Sequence, residues 1–126
     1  MKQVVVSIPN SLLAGGLCLH LKDKHQLNVV TQQRQSEILA TCLEVKADIL
    51  LAEVRDYPPL TIMDWVKHHQ EIVNHLPNCK LVVIVDENSS PEASLAVKEA
   101  KKKGHLHMFF FSSVSGEYLS AVLESL

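Results

Sequence analysis

The sequence predicts an α/β domain built on a doubly wound, five-stranded parallel sheet. Three observations predict it. Short β-branched or apolar runs alternate with longer segments of helical periodicity, five times over. The runs at residues 47–54 and 81–85 are almost wholly apolar, as strands covered on both faces must be. No repeat, low-complexity tract or linker interrupts the alternation, so residues 1–126 are expected to form one domain. Parallel strands need crossover connections, and the intervening helices supply them while covering the sheet.

Each element follows from its own signals. Gln3 to Ser7 is a β-branched run that stops at Pro9-Asn10. Asn10 or Ser11 can cap the next segment, where Leu12, Leu13, Gly16, Leu17, His20 and Leu21 recur at helical spacing; Gly15 and Gly16 suggest close helix–sheet packing. Leu27 to Thr31 is a second strand, and Glu37 to Val45 a helix with Ile38, Leu39, Cys42 and Val45 on one face. Ala47 to Val54 is the third strand. From Thr61 to Leu76 a stripe of Ile62, Trp65, Val66, His69, Ile72, Val73 and Leu76 marks a helix, and Thr61 with Asp64 resembles a capping box.

Leu81 to Val85 is the fourth strand. Ser90-Pro91-Glu92 supplies a cap, a first-turn proline and an early acid for a helix reaching Lys103, which Gly104 terminates. His107 to Phe111 is the fifth strand and Ser115 to Leu126 the last helix. In a parallel strand Met108 and Phe110 should face opposite Phe109 and Phe111. Those three phenylalanines are expected to be core before they are a stacking platform for bases.

Composition narrows the function. The chain carries 47% apolar and 21% charged residues with a net charge of −2, and a pI near 6.4. A nucleic-acid surface needs clustered basic charge. The one basic run, Lys101 to Lys103, sits where it complements a helix dipole. No apolar run approaches the roughly 20 residues that span a bilayer. Cys18, Cys42 and Cys79 are widely spaced and odd in number, which gives neither a disulfide framework nor a CxxC metal pair. These features lead to the expectation of a cytoplasmic protein without cofactor, membrane contact or direct nucleic-acid binding.

In open α/β sheets the functional edge lies beyond the carboxyl ends of the strands. Ser7 to Asn10, Glu53 to Asp56, Asp86 to Asn88, and Ser112 with Ser113 should therefore converge. Here the chain resembles the receiver domain of bacterial response regulators, a CheY-like, flavodoxin-like fold with strand order 2-1-3-4-5. Asp48-Ile49-Leu50-Leu51-Ala52-Glu53 looks like the stretch that leads to the family's phosphoacceptor aspartate. Gly104 to Val122 matches its fifth strand and last helix, and Asn10 to Leu21 is similar to its first helix.

The resemblance implies a site without its chemistry. The two acids that hold Mg²⁺ fall on Ser7 and Ile8, and the phosphoacceptor falls on Glu53. The family's Ser/Thr falls near Val85 or Asp86, its lysine on Phe111 and its aromatic switch on Met108. Phosphoryl transfer rests on positioning and electrostatics, so losing metal ligands and lysine together implies a non-catalytic, non-phosphorylated module. Its expected role is protein interaction in signal transduction or transcription control. The alternative is a flavodoxin-like domain or enzyme for a flavin or nucleotide, but no Gly- or Ser/Thr-rich loop follows the first strand.

Several local readings remain open at this stage. Glu53 is either a mimic of a phosphorylated aspartate or a carboxylate facing water. Glu53, Asp56, Asp86 and Glu87 are either a weak divalent-cation site or a solvated acidic rim. His68 and His69 diverge by about 100° on a helix, whereas His105 and His107 could share a strand face. His69 on the apolar stripe reads as a hydrogen-bonded core histidine. Tyr118, Leu119, Val122 and Leu123, with the fifth strand, are either the surface for a protein partner or homodimer or apolar residues that all pack inward on the sheet.

Overall fold

The structure is a computed structural model that describes residues 1–9, 11–22, 26–86, 88 and 90–126, with the backbone alone for 11–14. The expected cap at Asn10, the acid Glu87, and the side chains of Leu12 and Leu13 lie outside the described residues. Five strands, β1 (Lys2–Ser7), β2 (Leu27–Thr31), β3 (Ile49–Val54), β4 (Lys80–Val85) and β5 (Met108–Phe111), alternate with five helices. The helices are α1 (Ser11–Lys22), α2 (Ile38–Val45), α3 (Ile62–Val73), α4 (Pro91–Lys102) and α5 (Gly116–Ser125), with a 3₁₀ turn at Gln35–Glu37 before α2. All pairings are parallel and the order is β2-β1-β3-β4-β5. This is the doubly wound, flavodoxin-like topology expected from the alternation.

The sheet splits the core in two. Val5, Leu50, Ala52, Leu81 and Val83 point to one face with Ile38, Trp65, Ile72 and Val97 of α2, α3 and α4. Val4, Val6, Leu51, Val82 and Ile84 point to the other with Leu21, Leu119 and Leu123 of α1 and α5. Every residue of β3 is buried, because it has neighbours on both edges and helices on both faces. Met108 and Phe110 join the second cluster, Phe109 and Phe111 the first, as the two-residue period requires.

Helix ends follow the chemistry of the sequence. At α3, Thr61 and Asp64 form a reciprocal capping box: Asp64 N–H donates to Thr61 Oγ1 (3.2 Å) and Thr61 N–H to Asp64 Oδ2 (3.0 Å). Ser90 caps α4 through the Ala93 N–H, 3.2 Å, with Pro91 in the first turn. Gly104 takes the left-handed conformation (φ 78°) after α4. Lys46 does the same after α2 (φ 56°, ψ 59°) without being glycine. At the far end of α5, Lys2 Nζ donates to the carbonyls of Leu123 and Leu126, tying the last turn to β1.

β5 is an edge strand, as the order 2-1-3-4-5 implies, and Phe110 is buried while Phe109 and Phe111 are half-buried. Two expectations need correction. Gly15 and Gly16 are exposed, with open space where a side chain would stand. The close approach occurs instead at Gly116, where a Cβ would lie 2.8 Å from Cγ of His20. Leu119 and Leu123 are fully buried against the sheet, because one stripe of α5 is consumed in covering it. They leave the expected partner surface, which keeps Tyr118 and the half-buried Val122.

Candidate functional site

Parallel strands all end at one edge of the sheet, so Ser7, Val54 and Val85 bring their following loops together there. Glu53 stands one residue before the end of β3 and is 3% exposed. A carboxylate so placed must be neutralised or paired. Arg55 Nη2 lies 2.8 Å from Glu53 Oε2. The two residues are i and i+2 on an extended segment, so they share a side by the strand period alone. Arg55 N–H in turn donates to the Leu60 carbonyl, 2.7 Å, which folds the β3–α3 loop back over the strand end. The buried Trp65 donates its indole N–H to the Glu53 carbonyl, 3.1 Å, fixing the backbone from the α3 side.

The remaining positions of the edge offer little to an ion or phosphoryl group. Ser7 and Ile8 are both fully buried; Ile8 joins the α1–α5 cluster. Val85 closes β4 without exposure, and Asp86 is half-buried with its Oδ1 accepting from Asn88 N–H at 2.9 Å. Phe111 pairs with Val85 at the end of β5 and meets Phe109 edge-on, ring centroids 5.9 Å apart. Met108 lies at the other end of that strand beside Val82. Asp56 is exposed. Among the described residues no group of three or more His, Cys, Asp or Glu side chains converges as a metal site would require. Glu53, Asp56 and Asp86 therefore form no such group, and Glu87, the fourth residue of the possible weak cation site, lies outside the described residues.

Some polar atoms at the edge are buried without a hydrogen-bond partner among the described residues. They include Ser7 Oγ, Glu53 Oε1, Arg55 Nε and both polar atoms of the Gln35 amide. Sequence reasoning found Glu53 but missed Arg55. The Glu-Val-Arg alternation at the end of an apolar strand carried the signal, since a buried carboxylate needs a cation on its own side of the strand.

His69 and the three cysteines belong to the packed interior rather than to a reactive site. His69 donates through Nε2 to the Cys79 carbonyl, 2.7 Å, as a core histidine should. His105 and His107 are exposed on either side of the buried Leu106. Burial, with the Lys80 and Lys101 charges, holds the His107 imidazole below its usual range, which favours its neutral form. Cys18, Cys42 and Cys79 are free and buried. Desolvation and the neighbouring Cys79 push Cys42 up to about 12; desolvation and Asp48 push Cys79 to about 11. Such thiols stay protonated and unreactive.

Around β5 a different kind of surface appears. Tyr118, 56% exposed, meets Phe110 edge-to-face at 6.0 Å. With Met108, Phe109, Phe111 and Val114 it lines an open apolar cleft of about 310 Å³. Among the described residues no helix is long and apolar enough to cross a membrane.

No protein-family model matches the sequence, and no curated protein matches it. Solved structures do. The chain is similar to a response regulator receiver domain protein from Clostridium thermocellum, at 19% identity and TM-score 0.73, over 99% of this chain and 93% of that one. It is similar to a LuxR-family DNA-binding response regulator from Staphylococcus aureus, at 11% identity and TM-score 0.76, over 99% and 98%. A structure described as a family of redox sensors in the streptococci, evolved from two-component response regulators, superposes with TM-score 0.79 at 18% identity. The chain is covered to 99% there but spans 50% of that longer protein. The strand order, the parallel register and these superpositions together establish that the chain has the fold of the response-regulator receiver domains.

Proposed function

We propose that this chain is a receiver-like regulatory module that is not phosphorylated, is not an enzyme, and works by binding proteins in signal transduction or transcription control. The observation that carries the proposal is the Glu53–Arg55 pair. A phosphoacceptor must present its carboxylate to an incoming donor and a metal. Glu53 is 3% exposed and one of its oxygens already faces a guanidinium at 2.8 Å. Ser7 and Ile8 supply no anionic ligand for Mg²⁺, and Phe111 supplies no cation for a transferred phosphoryl group. Glu53 and Arg55 then neutralise each other at the position where a phosphoacceptor would have to stay free.

Incubation with acetyl phosphate and Mg²⁺, followed by intact-mass measurement, tests this. The expected result is an unchanged mass; a gain of one phosphoryl group on Glu53 would overturn the reading.

The surface for binding is the β5–α5 face, through Tyr118, Phe109, Phe111 and Val122. Its cleft is apolar and open, and exposed apolar patches on soluble domains mark contact sites. A second copy of the chain is one occupant this face suits. Light scattering across a concentration series, with wild type and Tyr118→Asp compared, tests it. Self-association weakened by that substitution supports the assignment, and a dimer indifferent to it sinks the assignment.

A further inference from the structure

A separate, smaller cleft lies between α3 and α4, away from β5 and α5. The cleft there measures about 170 Å³ and is floored by Val54, Ile62 and Ala93. Pockets that hold cofactors or drug-sized ligands start near ~300 Å³, so this one has room for a single side chain. It exists because α4 presents alanines at 93 and 96, one turn apart, where larger residues would close the gap.

Residues next to the lining in sequence carry exposed apolar side chains. Six large apolar side chains are exposed among the described residues, and three of them adjoin the cleft in sequence: Tyr57 next to Asp56, Met63 next to Ile62, and Leu95 between Ala93 and Ala96. The rim is acidic. Asp56 and Glu92 line the opening, and the guanidinium of Arg55, the cation of the rim, is engaged by Glu53. An apolar hole with carboxylates at its mouth selects an apolar knob carried beside positive charge.

We propose that this cleft docks a partner protein segment that inserts one leucine- or phenylalanine-sized side chain flanked by lysine or arginine. The site depends neither on the absence of phosphorylation nor on association through β5 and α5. Its occupant touches Arg55, so binding there reports directly on the Glu53–Arg55 pair.

Three short peptides are the probes: Lys-Phe-Lys, Glu-Phe-Glu and Lys-Ala-Lys cores, each blocked at both ends and titrated to millimolar concentration into the isotope-labelled chain. The expected result is amide shifts at Thr61, Ile62, Ala93 and Ala96 with the Lys-Phe-Lys probe, and at least fivefold weaker binding of the other two. Ala96→Phe should fill the cleft and abolish the shifts. Glu92→Gln, which removes a rim charge while its side-chain oxygen can still accept from Ser90 Oγ, should weaken binding about two- to threefold. Equal responses to all three probes, shifts confined to β5 and α5, or none at these amides would overturn the proposal. Since the dimer and phosphorylation tests use different readouts, failure here leaves the earlier reading standing.

Discussion

Gly116 packs its Cα against the imidazole of His20, so closely that a methyl group there would sit 2.8 Å from Cγ and 2.9 Å from Cδ2. This contact sets how near the first turn of α5 comes to the last turn of α1. Gly116→Ala must push the ring aside, and overpacking of this kind costs about 1–3 kcal/mol. Alanine recovers less than about 1 kcal/mol in helix propensity. Net destabilisation in urea unfolding is expected, with His20→Ala restoring most of it in the double variant. An additive double variant would show that the ring is not what glycine accommodates.

Removing one partner of the Glu53–Arg55 pair leaves the other exposed to the cost of burial. Breaking a buried pair costs about 3–5 kcal/mol, and the Arg55 side chain is 27% exposed, so solvent screening reduces the loss. Arg55→Met is expected to destabilise by about 1–3 kcal/mol, and Glu53→Gln in the Arg55→Met background to recover part of it. Denaturant melts of the four species make the measurement. A coupling energy near zero would show the pair to be incidental.

Alkali should unfold the domain earlier than its surface charge would suggest. The Cys42 and Cys79 thiols ionise near 9 when solvated, but only at about 12 and about 11 in the fold. Between those values the unfolded chain has lost protons that the folded chain retains. Stability is therefore complete below about pH 9 and falls as pH rises toward 11. A thermal-melt series from about pH 8 to 10.5 should show Tm dropping more steeply for wild type than for a Cys42→Ala/Cys79→Ala variant. Parallel slopes would assign the alkaline loss to lysine and tyrosine.

Lys46 adopts a left-handed conformation at the exposed end of α2. A side chain there costs roughly 1–2 kcal/mol relative to glycine's freedom, partly offset by the greater entropy of glycine in the unfolded chain. Lys46→Gly should stabilise by about 0.5–1 kcal/mol. A loss of stability would mean that the lysine makes a compensating contact.

The framework was legible because it depends on periodicity, which a single sequence displays. Strand-length apolar runs, the Thr61–Asp64 box, the Ser90-Pro91 start and the Gly104 stop each announce themselves locally. What escaped depends on neighbours distant in sequence. The glycine of the α1–α5 contact was Gly116 rather than Gly15 or Gly16, because helix docking, not composition, decides which glycine is crowded. Leu119 and Leu123 looked like surplus apolar surface until the sheet claimed them. Arg55 went unnoticed because its role arises from the burial of Glu53, and burial at a strand end depends on the loop and helix that close over it.

The edge position of β5 constrains how the molecule survives in a crowded cell. Met108-Phe109-Phe110-Phe111 has no charge and no proline, and one margin has no neighbouring strand in this sheet. Bare, such a segment would recruit copies of itself strand by strand. Two features restrain it: its length of four residues and the edge-to-face packing of Phe110 against Tyr118 of α5, ring centroids 6.0 Å apart. The last helix therefore restrains cross-β growth as well as walling the core, by holding the strand's central ring in place from one face.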